Sequence, residues 1–212
     1  MKIVSLNIGR PVLTVHDGRQ YSTAINRRSI PERIRLTALG FAGDRVADNE
    51  NHGGPDRAAC CYSHEHYSFW AERLEKDLPI PSFGENLTTE GLLEREVCIG
   101  DTFRIGSALV QVTQPRQPCW KLANKLEAPQ LPKWITELSY TGFYVRVLEE
   151  GEVQAGDAVQ LVHRPNPEVT VALTAAQLLT PAATQGWLAR LAELPELSNG
   201  WRARAAKRLS DG

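Results

Sequence analysis

The sequence predicts a mainly β barrel with helical inserts over residues 1–164, followed by a small all-α domain of three helices over residues 165–212. Three observations carry this reading. Short apolar runs with period-two alternation recur between turn residues, the apolar pattern around Gly100-Asp101 repeats around Gly156-Asp157, and the β pattern stops at Arg164-Pro165-Asn166-Pro167. Many short strands at turn-punctuated spacing suit a barrel or sandwich better than βαβ units, and two prolines flanking an Asn mark a boundary.

Taken in chain order, Val4, Leu6 and Ile8 alternate with polar residues, as do Ile34, Leu36 and Ala38, which is the pattern of half-buried strands. A short apolar run from Arg57 to Tyr62 precedes Ser63, which is placed to cap a helix bearing Tyr67, Trp70 and Leu74 on one face. Pro79 and Pro81 end that helix. Val97-Cys-Ile-Gly-Asp-Thr-Phe-Arg-Ile105 matches Val153-Gln-Ala-Gly-Asp-Ala-Val-Gln-Leu161 at its apolar, Gly and Asp positions, so two related hairpin entries are expected. Residues 108–112 and 143–148 read as further strands. Past Pro167, Thr174, Thr180 and Ser198 can cap three helices, with Trp187, Leu191 and Leu194, then Trp201, Ala205 and Leu209, as apolar faces. The last helix carries Arg202, Arg204, Lys207 and Arg208, a solvated basic face or a docking surface.

Composition narrows the function classes. Lys and Arg total 24 against 25 Asp and Glu, giving a net charge of −1, which offers no excess positive charge to a nucleic acid. At 42% hydrophobic and 23% charged, the chain has the makeup of a folded globular protein. The first residues, MKIVSLNIGRP, lack the apolar run of a secretory signal, and no segment approaches the ~20 apolar residues of a membrane span. A soluble cytoplasmic protein with no membrane partner is expected. Cys60, Cys61, Cys98 and Cys119 read as free thiols.

The segment richest in chemistry is Gln114-Pro115-Arg116-Gln117-Pro118-Cys119-Trp120-Lys121-Leu122. Pro118 suits a first helical position, so Cys119 falls in the first turn of a helix, where unpaired N–H groups favour a thiolate, and Arg116 and Lys121 add positive charge. Such a thiol serves as nucleophile, redox group or soft-metal ligand, or else fills a gap beneath Trp120. A second cluster runs from Gly43-Asp44-Arg45 to His52-Gly53-Gly54-Pro55-Asp56-Arg57. Its glycine N–H groups and its Arg45, His52 and Arg57 side chains can cradle a phosphate, while read locally it is a turn with surface charges. Phe83-Gly84-Glu85-Asn86-Leu87 places a carboxylate and an amide on a loop, suited to a polar ring system. Cys61-x-x-His64, with Cys60 and His66 nearby, has a zinc-like spacing but lacks a second pair, so Cys60 and Cys61 are expected to alternate between core and surface. No Gly-x-Gly-x-x-Gly, Walker loop or Gly-x-Ser-x-Gly is present.

These motifs in this order resemble the MOSC domain family (molybdenum cofactor sulfurase C-terminal domain), in its YiiM-like branch with an appended three-helix domain. The resemblance rests on Gly43-Asp44, His52 through Arg57, Phe83 through Leu87, and Gln114-Pro115-Arg116 running into Pro118-Cys119. It implies a β barrel that binds the molybdenum cofactor. Cys119 would be the metal ligand and catalytic residue, with Arg45, His52, Gly53, Gly54, Arg57, Glu85, Asn86 and Arg116 around the cofactor. It further implies an oxidoreductase that reduces N-hydroxylated bases and related N-oxygenated compounds to amines. With no flavin or iron-sulfur motif in the chain, an external reductase must supply the electrons. Two alternatives accompany it: a sulfur carrier holding a Cys119 persulfide, and a cofactor carrier without catalysis. Pyridoxal phosphate, associated with sulfurase relatives, finds only Lys121 as a weak candidate, and a homodimer is compatible with the family.

Overall fold

The computed structural model describes residues 1–16, 18–48 and 53–211. An eight-stranded mixed sheet forms the body. Its strands are β1 (Lys2–Ile8), β4 (Arg28–Ile30), β7 (Ala59–Ser63), β8 (Leu87–Glu90), β9 (Thr102–Ile105), β10 (Ala108–Pro115), β11 (Phe143–Glu149) and β13 (Val159–His163), in the spatial order β13-β9-β10-β11-β7-β8-β1-β4. Strands β7 and β8 run parallel, Cys61 beside Leu87; the other pairs are antiparallel. A smaller sheet joins β5 (Ile34–Thr37), β6 (Gly40–Phe41) and β12 (Gly151–Val153), and β2 (Val12–His16) with β3 (Arg19–Thr23) forms a separate hairpin.

The expected barrel is not closed. The sheet ends at β4 and β13, and β1 approaches the start of β13 through a Lys2–Ala158 bridge, with Ile3 N–H donating to the Asp157 carbonyl at 2.9 Å. Closure depends on strand tilt and stagger, which period-two alternation does not encode. The alternation also mis-set β1. A register shift between Ile3 and Ser5 against β8 puts Ile3 and Leu6 in the core and leaves Val4 half-buried, because a bulge flips every side chain beyond it.

The repeated Gly-Asp segments fold alike. Gly100 and Gly156 have φ of 89° and 88°, a conformation costly for any residue with a Cβ. The following Asp accepts a main-chain N–H from three residues earlier, Cys98 to Asp101 Oδ2 at 2.8 Å and Gln154 to Asp157 Oδ2 at 2.9 Å. Only the first segment opens a hairpin, β9–β10; the strand after the second, β13, lies back against β9, pairing Val159 with Ile105.

The described residues form six α-helices: α1 (His66–Leu74), α2 (Trp120–Lys125), α3 (Leu131–Leu138), α4 (Val171–Leu179), α5 (Gln185–Glu193) and α6 (Asn199–Ser210). Ser63 does not cap α1, being the last residue of β7; the cap position is Glu65. Thr170 and Thr184, not Thr174 and Thr180, cap α4 and α5 by accepting the N–H groups of Leu173 and Trp187, and Ser198 stands at the cap of α6. Thr174 instead lies buried inside α4, its hydroxyl donating to the Thr170 carbonyl at 2.8 Å. Cys60 and Cys61 are both buried rather than divided between core and surface, since β7 lies between β8 and β11 with side chains covered on both faces. All four cysteines are free. No helix among the described residues is long and apolar enough to cross a membrane.

One apolar cluster runs from Ile3, Leu36 and Val110 of the sheets to Leu178, Leu191 and Trp201 of the last three helices, with Leu197 from the connection between the last two. Helices α4–α6 therefore cover the same core that the strands enclose. Leu191→Ala, at a fully buried position, should cost about 2–5 kcal/mol. Chemical denaturation followed by circular dichroism should then give one unfolding transition for the whole chain, shifted to lower denaturant.

Candidate cofactor cavity

A cavity of about 390 Å³ opens between the β3–β4 connection, the segment before β7, and the start of α2. Its floor is organised by Asp44. The carboxylate accepts the Gly9 N–H at 2.7 Å, a two-pronged contact from Arg27 Nε and Nη2 at 3.2 and 2.9 Å, and the Asn86 side-chain amide at 2.9 Å. Arg27 and Asp44 side chains are only 9% and 10% exposed, so each offsets the cost of burying the other. Asn86 passes the order on: its Oδ1 accepts the Cys60 N–H at 3.1 Å, and its Nδ2 also reaches the Asn7 carbonyl at 3.3 Å. Beneath, Asn7 donates to Thr88, and Thr88 and Tyr67 hydroxyls both donate to Glu85 Oε1.

The opposite wall comes from β10 and α2. Strand β10 ends at Pro115, and Cys119 keeps an extended conformation (φ −122°, ψ 156°), so it is the cap of α2 rather than a first-turn residue. The helix starts two residues later than Pro118 suggested. Cys119 is half-buried and lines the cavity together with Cys60 of β7 and Tyr144 of β11. Arg116 is buried, its Nη1 donating to the Phe83 carbonyl at 2.6 Å. Burial opposes its charge, but Cys60, Tyr144, Cys119 and Glu85 around it hold the guanidinium above its ordinary pKa, so the cation persists inside the cavity wall. Burial also pushes up the Cys60 thiol and the Tyr144 phenol, keeping both protonated at neutral pH.

The sequence-selected residues divide clearly. Arg45, Gly53, Gly54, Arg57, Asn86, Arg116, Cys119 and Lys121 all line the cavity. Gly54 has φ 96° and open space where a Cβ would stand, so its backbone can meet an anion closely. Glu85 does not line it; fully buried below, with Oε2 lacking a hydrogen-bond partner among the described residues, it belongs to the support under Asn86. Asn86 faces the cavity, but its amide is spent on Asp44, Asn7 and Cys60. His52 lies outside the described residues. Lys121 Nζ donates to the Ser22 carbonyl at 2.9 Å. His66 pairs with Glu94 at 2.7 Å, and among the described residues no group of three or more His, Cys, Asp or Glu is placed to hold a metal ion. Arg27, Cys60 and Tyr144 are site residues that local sequence did not mark, since each arrives from a distant strand or connection.

Lys125, one turn beyond Lys121, reaches under the cavity to the Ile25 and Pro81 carbonyls, both at 3.3 Å. Burial lowers its pKa to about 8. Between about pH 8 and the ordinary lysine value of roughly 10.4, the unfolded chain holds a proton at this site that the folded chain has released, so Lys125 makes stability rise with pH across that window. The elevated Cys60 and Tyr144 act in the opposite sense. The difference between wild type and Lys125→Met isolates the lysine: in urea denaturation series the stability of Lys125→Met relative to wild type should be highest below pH 8 and should fall by pH 10.

Comparison with known proteins places this cavity in a family. The MOSC domain model matches residues 48–160, and the model described as YiiM-like, 3-alpha helix domain matches residues 183–212. The protein YflK of Bacillus subtilis (strain 168) is 42% identical over 97% of this chain and 93% of its own length. A protein of Gibberella moniliformis named "Reductase" is 35% identical over 73% of this chain, which corresponds to 28% of that protein. The crystal structure of YiiM from Geobacillus stearothermophilus superposes with a TM-score of 0.84 at 36% identity, covering 98% of each chain. With its cavity assembled within and beside the matched segment, and three helices closing its core, the chain belongs to the MOSC domain family, in the YiiM-like branch.

Proposed function

We propose that the cavity binds the molybdenum cofactor, with Cys119 as protein ligand to the metal, and that the protein reduces N-hydroxylated bases and related N-oxygenated compounds to amines. The observation that carries this reading is the donor set: one half-buried thiol facing a cavity of about 390 Å³ whose walls also hold Arg45, Arg57, Arg116 and Lys121. A thiolate is the soft ligand that a sulfur-rich metal centre accepts, and an anionic tail finds its match in arginines beside glycine N–H groups. The volume suits a small cofactor. The residues present thus fit the group, and the fungal relative's name points to redox chemistry.

In this reading Arg45, Arg57, Gly53 and Gly54 hold the phosphate, while Arg116 balances negative charge near Cys119. When bound, the cofactor supplies a two-electron couple for oxygen removal. Tyr144 keeps its proton at the phenolic oxygen and can donate it to the departing hydroxyl. Cys60, a protonated thiol in the same wall, does not compete as an anionic ligand. Electrons come from an external reductase of the same compartment, which we propose to be the cytoplasm.

Cys119→Ser should keep the fold and lose molybdenum when expressed in a cofactor-producing host, as metal analysis of the purified protein would read. Retained molybdenum and full N-hydroxylamine reduction would overturn the ligand assignment. Arg57→Ala removes a charge-assisted contact worth roughly 1.5–3 kcal/mol and should weaken cofactor retention about ten-fold or more. A wild-type protein free of molybdenum that carries a labile sulfur on Cys119 would favour sulfur transfer instead.

A further inference from the structure

Next to the cavity, on the outer side of α2, lies a shallow groove walled by the rings of Tyr21 and Trp120, with His16, Arg19 and Gln20 on its rim. The ring centroids are 4.7 Å apart with the planes at 58°. Trp120 is 53% exposed and belongs to neither apolar cluster of the fold, so its ring packs on Tyr21 and not into the core. Its position does suggest a role. Trp120 directly follows Cys119, and Lys121, which lines the main cavity, sets its ammonium 5.7 Å from the Tyr21 ring and 5.9 Å from the Trp120 ring. Groove and cavity therefore meet along Cys119–Lys121.

We propose that Trp120, backed by Tyr21, is a stacking platform for the planar heteroaromatic portion of the substrate, laying its N-oxygenated group over Cys119. This rests on the reading of Cys119 as the redox site, and deepens it by naming what selects the substrate. A flat ring with a π-face gains from an aromatic partner whatever its substituents, which gives breadth within one shape class. His16 and Arg19, which pair with each other on the Tyr21 face of the hairpin, carry the donors and acceptors that ring heteroatoms need. Lys121 and Arg19 place positive charge at the groove and so disfavour cationic rings. The exposed Leu13 and Val15 are not part of it: Thr14 pairs with Tyr21 across the β2–β3 hairpin, so the two aliphatic side chains point to the other face.

The test uses the full chain and adenine as a planar heteroaromatic amine of the product class. Calorimetric titration should detect adenine binding to the wild type, about ten-fold weaker binding to Trp120→Ala, and largely restored binding to Trp120→Phe. The ratio of kcat/KM for a planar aromatic N-hydroxyl substrate to that for a small aliphatic hydroxylamine should fall about ten-fold in Trp120→Ala. Adenine that fails to bind the wild type, or binds Trp120→Ala equally well, overturns the platform. Adenine binding that depends on Trp120 in a chain that reduces no N-hydroxyl compound supports the platform and overturns the redox reading.

Discussion

The Asp44 carboxylate is the point on which the cavity depends. It binds the end of β1 through Gly9, the β3–β4 connection through Arg27, and the approach to β8 through Asn86. Three segments far apart in the chain are thereby fixed around one buried charge. Loss of one partner from such a buried pair costs about 3–5 kcal/mol, because the other charge remains without compensation. Arg45, next in sequence, lines the cavity, its own N–H held by the Gly9 carbonyl at 2.9 Å.

The second constraint is the sharp junction after β10. Pro115 ends a strand deep in the sheet, Arg116 turns inward, and Pro118 precedes an extended Cys119 before α2 begins. Lys121 and Lys125, four residues apart on α2, lie along one side and fasten that helix to main-chain carbonyls at Ser22, Ile25 and Pro81. The helix that presents Cys119 is only six residues long, so these tethers, more than its own hydrogen bonds, position the thiol. Arg116, buried near Cys119, sustains positive charge where an anionic ligand would meet the Cys119 sulfur.

What the sequence made legible was the chemistry carried by local residue type. Cys119 after two prolines, the Gly53-Gly54 pair and the arginines flanking it lie on one cavity as their spacing suggested. Glu85 and Asn86 illustrate the limit: their type invited a ligand role, but their partners, Tyr67, Thr88, Asp44 and Asn7, come from elsewhere in the chain and make them supports. Arg27 and Tyr144 gave no local signal, since only strand pairing brings them in. The β2–β3 hairpin had one available mark, the Asp-Gly pair at 17–18 between two alternating runs. The open ends of the sheet and the bulge in β1 depend on stagger and register, which alternation alone does not set.

The central claim is that Cys119 completes the coordination of a molybdenum centre in this cavity. Molybdenum-edge X-ray absorption on the cofactor-loaded protein counts the sulfur neighbours of the metal directly. One sulfur beyond those of the pterin dithiolene should be seen, and it should vanish when Cys119 is alkylated before loading. A metal surrounded by the dithiolene sulfurs and oxygen alone, unchanged by that alkylation, would contradict the claim.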